Sequence, residues 1–216
     1  MGSSIKDRGT LTAAELAARL ARTTPPGDPL AVIMPEESVR WPRPLRDKLT
    51  GMLTPAGVLI PVMHRDDALT VLLTQRAADL KHHAGQISFP GGRMERHDPD
   101  VRATALRETY EEVGIHPDRV EVIGYLESMP TITGFAVTPI VGLVPGDIEL
   151  VIDRTEVEYT FEVPLDWLLD ARNDRVVDRE MHGRVFRMIE FHFEGQRIWG
   201  ATAMMLVRLR EYVLKQ

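Results

Sequence analysis

Glu108, Glu111 and Glu112 lie within one short stretch, "RETYEEVG", and follow the paired glycines of "FPGG". Carboxylates grouped this way supply hard oxygen ligands for a divalent cation. Glycine, lacking Cβ, lets the backbone come close enough for a carbonyl to join them. The same carboxylates crowd the end of a helix, where the macrodipole disfavours negative charge. Like charges at i,i+3 and i,i+4 cost about 0.2–0.5 kcal/mol per pair. Three glutamates alone also occur as an ordinary solvated face. Their conjunction with Gly91 and Gly92 is what points to a cation site, because a bound cation reverses the repulsion.

The helix carrying them is expected over 99–113. Asp98 reads as its N-cap, Pro99 as its first residue and Gly114 as the residue just past its last turn. At about 100° per residue, Ala103, Leu106, Tyr110 and Val113 form the expected core stripe, with the glutamates opposite. Arg107, four residues before Glu111, offsets part of their charge.

Elsewhere the pattern is that of strands interleaved with helices. "AGVLIPVM" and "LTVLLTQR" flank the polar turn "HRDDA" and read as a hairpin in a buried sheet. "VEVIGYLES", "FAVTPIVGLVP" and "VEYTFEVPL" are further strands, the last leading into a short helix at "LDWLLDA". "RVFRMIEFHF" and "RIWG" turn at "EGQ", and the closing segment "ATAMMLVRLREYVLKQ" has helical spacing. Trp199, Met204 and Met205 read as core, as does Phe89. Before residue 50 the chain reads as one helix, started by the Thr12–Glu15 capping box and carrying Leu16, Ala17 and Leu20 on one face. A Pro-punctuated connector follows. The expectation is an α/β sandwich with a mixed sheet, residues 1–50 packing as an extension on a domain at 51–216.

The 216 residues are 44% hydrophobic and 27% charged, as in ordinary globular proteins. A formal net charge of -6 argues against broad binding to nucleic acid or an anionic membrane, though not against a small anion held by local basic residues. There is no cysteine, which excludes thiolate metal sites and disulfides. No apolar run approaches a membrane span and the N-terminus lacks the apolar core of a secretion signal, so a cytoplasmic protein is expected.

The segment from Gly92 to Ile115 resembles the Nudix box: Gly, five residues, Glu, seven residues, then Arg-Glu-apolar-any-Glu-Glu-any-Gly-apolar. Gly92, Arg107, Glu108, Glu111, Glu112, Gly114 and Ile115 match it. Asp98 stands in place of the first Glu, one extra residue precedes Arg107, and Thr109 fills the apolar slot. Upstream, "LLTQRAADLKHHAGQISFPGG" resembles the signature of the coenzyme A pyrophosphatases within that superfamily, whose members share the altered box. Ala77 and Lys81 replace a Ser and an Arg of that signature. The resemblance spans about 55–205.

It implies a Nudix-type α/β/α sandwich that hydrolyses the diphosphate of coenzyme A or acyl-CoA, giving 3′,5′-ADP and (acyl-)4′-phosphopantetheine. Mg²⁺ or Mn²⁺ is the implied cofactor, held by Glu108, Glu111, Glu112 and the Gly91 carbonyl, with Arg107 steadying the carboxylates. Glu156 is the candidate general base, ahead of Glu158, and Glu108 is an alternative. Arg76, Lys81, His83 and Gln86 are candidates for substrate binding, Lys81 especially for the 3′-phosphate. The implied partner is a small-molecule substrate, in a chain that leaves room for a homodimer. The competing readings are a Nudix hydrolase of another diphosphate (ADP-ribose, NADH, a dinucleotide) and a non-catalytic nucleotide-sensing module.

Overall fold

The computed structural model describes residues 10–34, 38, 41–66, 68–79, 84–181 and 184–215. The long apolar run becomes β1 (Thr54–Arg65), which turns back into β2 (Ala68–Arg76) with Val62 opposite Val71 and Arg65 opposite Ala68. On its other edge β1 pairs in parallel with β7 (Phe135–Pro145) over its whole length. The sheet is therefore mixed, as expected. Antiparallel partners complete it. β3 (Ile87–Ser88) and β8 (Val157–Pro164) lie on β2, while β4 (Gly91–Arg93) lies on the first half of β1. β5 (Glu121–Tyr125) and β6 (Met129–Pro130) lie on β7.

Strand pleating sends neighbouring residues to opposite faces, and two cores result. Leu59, Met63, Leu72, Ile140 and Val144 pack on one face beneath α3 (Val101–Val113). Ile60, Val62, Val71, Leu73 and Val141 pack on the other. That second face is covered by α1 (Ala13–Leu20), α4 (Leu165–Leu169) and α5 (Gly200–Leu214). A three-stranded sheet of β9 (Asp174–Met181), β10 (Arg184–Phe193) and β11 (Gln196–Ile198) joins it through buried Phe191 and Ile198.

The Thr12 capping box forms, and Leu16 and Leu20 are fully buried. Arg19 Nη1 donates to the Val213 carbonyl at 2.8 Å and Thr23 Oγ1 accepts from the Tyr125 amide at 2.8 Å, tying this first helix to α5 and β5.

Several expectations need correction. The connector contains a helix, α2 (Arg43–Thr50), built on Leu45 and Leu49, whose two-residue apolar face is too brief to stand out in sequence. β9 was not anticipated: its charged alternation carries little apolar signal, and pairing with β10 makes it a strand. Phe89 and Met205 are core, but Met204 is 36% exposed and Trp199, preceding α5, is 38% exposed. Among the described residues no helix is long and apolar enough to cross a membrane.

Candidate active site

The glutamate-bearing helix sits close to the sheet because of Gly57. A Cβ there would meet the Val101 carbonyl oxygen at 2.1 Å, so the α3 backbone lies almost on β1. The face turned to the sheet must then be made of small or slim side chains: Val101, Thr104, Ala105 and Thr109, continuing to Glu112 and Val113. Thr109, the departure from an apolar residue, satisfies its hydroxyl on the Ala105 carbonyl at 2.6 Å. The expected core stripe is therefore rotated. Tyr110 is 51% exposed, Ala103 and Leu106 are only half-buried, and Glu112 is 1% exposed. The glutamates do not share one solvated face: Glu111 is exposed, Glu108 half-buried and Glu112 buried.

The helix begins two residues later than expected, at Val101. Asp100, not Asp98, is the N-cap, its Oδ1 accepting from the Ala103 amide at 2.8 Å. Asp98 is buried and engaged elsewhere. It accepts from Arg107 Nε at 3.0 Å and Nη2 at 2.9 Å, from Thr104 Oγ1 at 3.0 Å and from the Glu95 amide at 2.9 Å. The Arg107 hydrogen bonds, chiefly, hold its carboxyl far below the usual carboxylate range. Arg107 Nη1 also reaches Glu108 Oε1 at 2.8 Å and Glu111 Oε2 at 2.9 Å. One guanidinium thus gathers three carboxylates, and Asp98 fixes where it stands. The capping preference of Asp in sequence concealed this role; its spacing from Arg107 was the available signal.

Glu108 lies over Gly92, where a Cβ would come within 2.5 Å of the carboxyl carbon. Burial raises its pKa against the opposing pull of Arg107, with Glu111 and Glu156 adding to the rise. Burial pushes Glu112 further, to about 8; Arg76 opposes this, Glu156 and Glu108 add to it, and the Gly91 amide also opposes it as a hydrogen-bond donor. Glu112 Oε2 is buried with no hydrogen-bond partner among the described residues. Among the described residues the cation paired with it is Arg76, whose Nη1 stands 3.9 Å from Oε1.

Glu156 is brought to these acids by backbone stitching. The amides of Val151 and Asp153 donate to the last carbonyls of α3, Val113 and Glu112, at 3.0 Å each. The Glu156 amide then bonds Asp153 at 3.1 Å, and its carbonyl accepts from Ala77, next to Arg76, at 2.9 Å. Glu156 is half-buried, and its side chain makes no hydrogen bond or ion pair among the described residues, whereas Glu158 is exposed. Gln86 is half-buried on the β2 side, its carbonyl accepting from the Arg76 amide at 3.0 Å. Lys81 and His83 lie outside the described residues.

Among the described residues no three His, Cys, Asp or Glu side chains already converge as metal ligands. The donor set is nevertheless that of a hard divalent cation. The orphaned oxygen of Glu112 is a site such an ion would satisfy, and the arginines now occupy its neighbours.

Residues 53–191 match the NUDIX domain family. The chain belongs to the Nudix family. A Salmonella paratyphi B relative named "Uncharacterized Nudix hydrolase NudL" is 42% identical over 154 residues, covering 71% of this chain and 80% of the relative. Among solved structures, a MutT/nudix family protein from Enterococcus faecalis overlaps 93% of this chain and 74% of its own, with TM-score 0.48 and 15% identity. A C. elegans Ap4A hydrolase in a binary complex overlaps 51% of this chain and 80% of its own, with TM-score 0.44 and 18% identity. Nudix hydrolases generally depend on a divalent metal, in keeping with the oxygen donors gathered on this helix.

Proposed function

We propose that this Nudix protein hydrolyses the diphosphate of coenzyme A or its acyl thioesters. The observation that carries the hydrolytic reading is Glu112. It is a buried carboxyl group with one oxygen unpartnered among the described residues, under the electrostatic influence of Glu108 and Glu156 and facing Arg76. Such an arrangement is unfavourable on its own and becomes favourable when a divalent cation and a diphosphate fill it.

In this reading Glu108, Glu111 and Glu112, with the Gly91 carbonyl, hold Mg²⁺ or Mn²⁺. A bound ion would neutralise diphosphate charge and make water more acidic. Arg107 steadies Glu108 and Glu111, itself anchored by Asp98. Among the described residues the Glu156 side chain has no hydrogen-bond or ion-pair partner, and in this reading its carboxylate takes the proton of the attacking water. The water oxygen bonds to one phosphorus, the bridging P–O bond breaks, and the bridging oxygen leaves with the other phosphate. From coenzyme A the products are 3′,5′-ADP and 4′-phosphopantetheine.

The choice of coenzyme A rests on "LLTQRAADLKHHAGQISFPGG", which runs from β2 through β3 into Gly91–Gly92 and so supplies both Arg76 and the glycine bend. In the same reading residues 51–216 are the catalytic domain, with 1–50 an extension held on it through Leu16, Leu20 and Arg19. The test is a substrate panel with Mg²⁺: coenzyme A, dephospho-coenzyme A, ADP-ribose, NADH and a dinucleoside polyphosphate. Coenzyme A should give the highest kcat/KM. A preference for ADP-ribose or a dinucleotide would move the protein to another Nudix substrate class.

A further inference from the structure

Arg76 has an unusual position. Its backbone is pinned on both sides, the amide donating to Gln86 and the carbonyl accepting from Gly85, each at 3.0 Å. It stands where the β2–β8 register shifts, between Gln75 and Arg76. Its guanidinium, with five donors in a planar fork, makes no hydrogen bond among the described residues. It stops 3.9 Å from Glu112, too far for a hydrogen bond and close enough for charge attraction. Glu112 is likewise incompletely satisfied, since Oε2 has no hydrogen-bond partner among the described residues. A half-buried guanidinium and a buried carboxyl group thus face each other without completing a bidentate pair, although the two groups readily form one.

Arg107 shows the contrast within the same site. It is fully engaged with Asp98, Glu108 and Glu111, so it has no capacity left for a ligand. Among the described residues of the site, Arg76 is the cation with donors to spare, and an arginine fork matches phosphate oxygens.

We propose that Arg76 is an exchange residue: it stands against Glu112 while no divalent cation is bound, and transfers to the phosphate oxygens of a diphosphate ligand once a cation takes that carboxylate. This rests on the diphosphate reading of the same site. It makes diphosphate binding conditional on metal, because without metal Arg76 stands against Glu112 and the neighbouring carboxylates Glu108 and Glu111 repel the ligand. It also makes Arg76 and the metal competitors for one oxygen pair.

The test measures binding and no turnover. Mn²⁺ binding is followed by the electron paramagnetic resonance of the free ion, and binding of methylenediphosphonate by calorimetry, with and without Mn²⁺. Wild type is compared with Arg76→Ala and Arg76→Lys. Arg76→Ala should bind Mn²⁺ at least as tightly as wild type, since the competing cation is gone. Its affinity for methylenediphosphonate in the presence of Mn²⁺ should fall about tenfold or more, the scale of one lost charged hydrogen-bond pair. Arg76→Lys should recover part of it, and without Mn²⁺ all three proteins should bind the diphosphonate weakly and alike. Weaker Mn²⁺ binding by Arg76→Ala would make Arg76 a mere support for Glu112 and overturn the exchange. Unchanged diphosphonate affinity would overturn it too. If these results hold while coenzyme A stays intact, the substrate reading fails and the exchange stands.

Discussion

Arg107 grips Asp98 with two nitrogens, Nε 3.0 Å from Oδ1 and Nη2 2.9 Å from Oδ2, while its third nitrogen holds Glu108 and Glu111 at 2.8 and 2.9 Å. The Asp98 side chain is 3% exposed. Removing one partner of a buried ion pair strands the other, at a cost of about 3 kcal/mol. Asp98→Asn should therefore lower stability by about that amount in chemical denaturation. Because Arg107 then loses its anchor, kcat should drop about 10- to 100-fold with KM little changed, as for other supports of metal-binding groups. Wild-type kinetics in this variant would remove Asp98 from the positioning of the site.

Gly92 tests the placement of Glu108. An alanine Cβ would sit 2.5 Å from the carboxyl carbon, so the side chain must move. Gly92→Ala should fold normally by circular dichroism yet lose about 10²-fold in kcat, the scale for misplacing a reacting group by an ångström. A loss under twofold would show that the Glu108 position is not critical.

Glu112 makes a pH prediction for the metal-free protein. Its pKa is pushed up from 4.5 to about 8 by burial, so the native state holds a proton the unfolded chain has lost. Native protonation stabilises fully below the unfolded value, and the benefit disappears as pH rises through about 8. In EDTA, wild-type stability should fall from pH 5 to pH 8.5 relative to Glu112→Gln, which stays neutral. The gap should reach on the order of a few kcal/mol at the alkaline end. Parallel denaturation curves across that range would contradict the burial argument.

Much of the fold was legible because strand and helix periods were clear: the β1–β2 hairpin, β7, β8 and the capped first helix stood where their apolar patterns put them. The glutamate cluster was legible as a cluster but not in its geometry. Helical spacing alone places Glu112 with Glu108 and Glu111. Only the close approach at Gly57 reveals that the helix turns that residue toward the sheet. The link from Glu156 to Glu112 depends on backbone bonds between segments far apart in sequence, which no local pattern announces.

The two acids of "TEVE" are separated by their surroundings. Glu156 is half-buried and coupled to Glu108 and Glu112, whereas Glu158 is exposed. Glu156→Gln should cut kcat by about 10² or more, the range for losing a general base. Glu158→Gln should change it less than about twofold, as for an exposed surface substitution. The reverse order, measured under saturating substrate and Mg²⁺, would move the base to Glu158.

The most direct measurement is the rate at which 3′,5′-ADP appears from coenzyme A at saturating Mn²⁺, for wild type beside Glu112→Gln. Wild type should release it steadily and the variant at least about 10²-fold more slowly, since Glu112 is asked to hold the ion that makes the reaction possible. No 3′,5′-ADP from well-folded wild type, or equal release by both proteins, would contradict it.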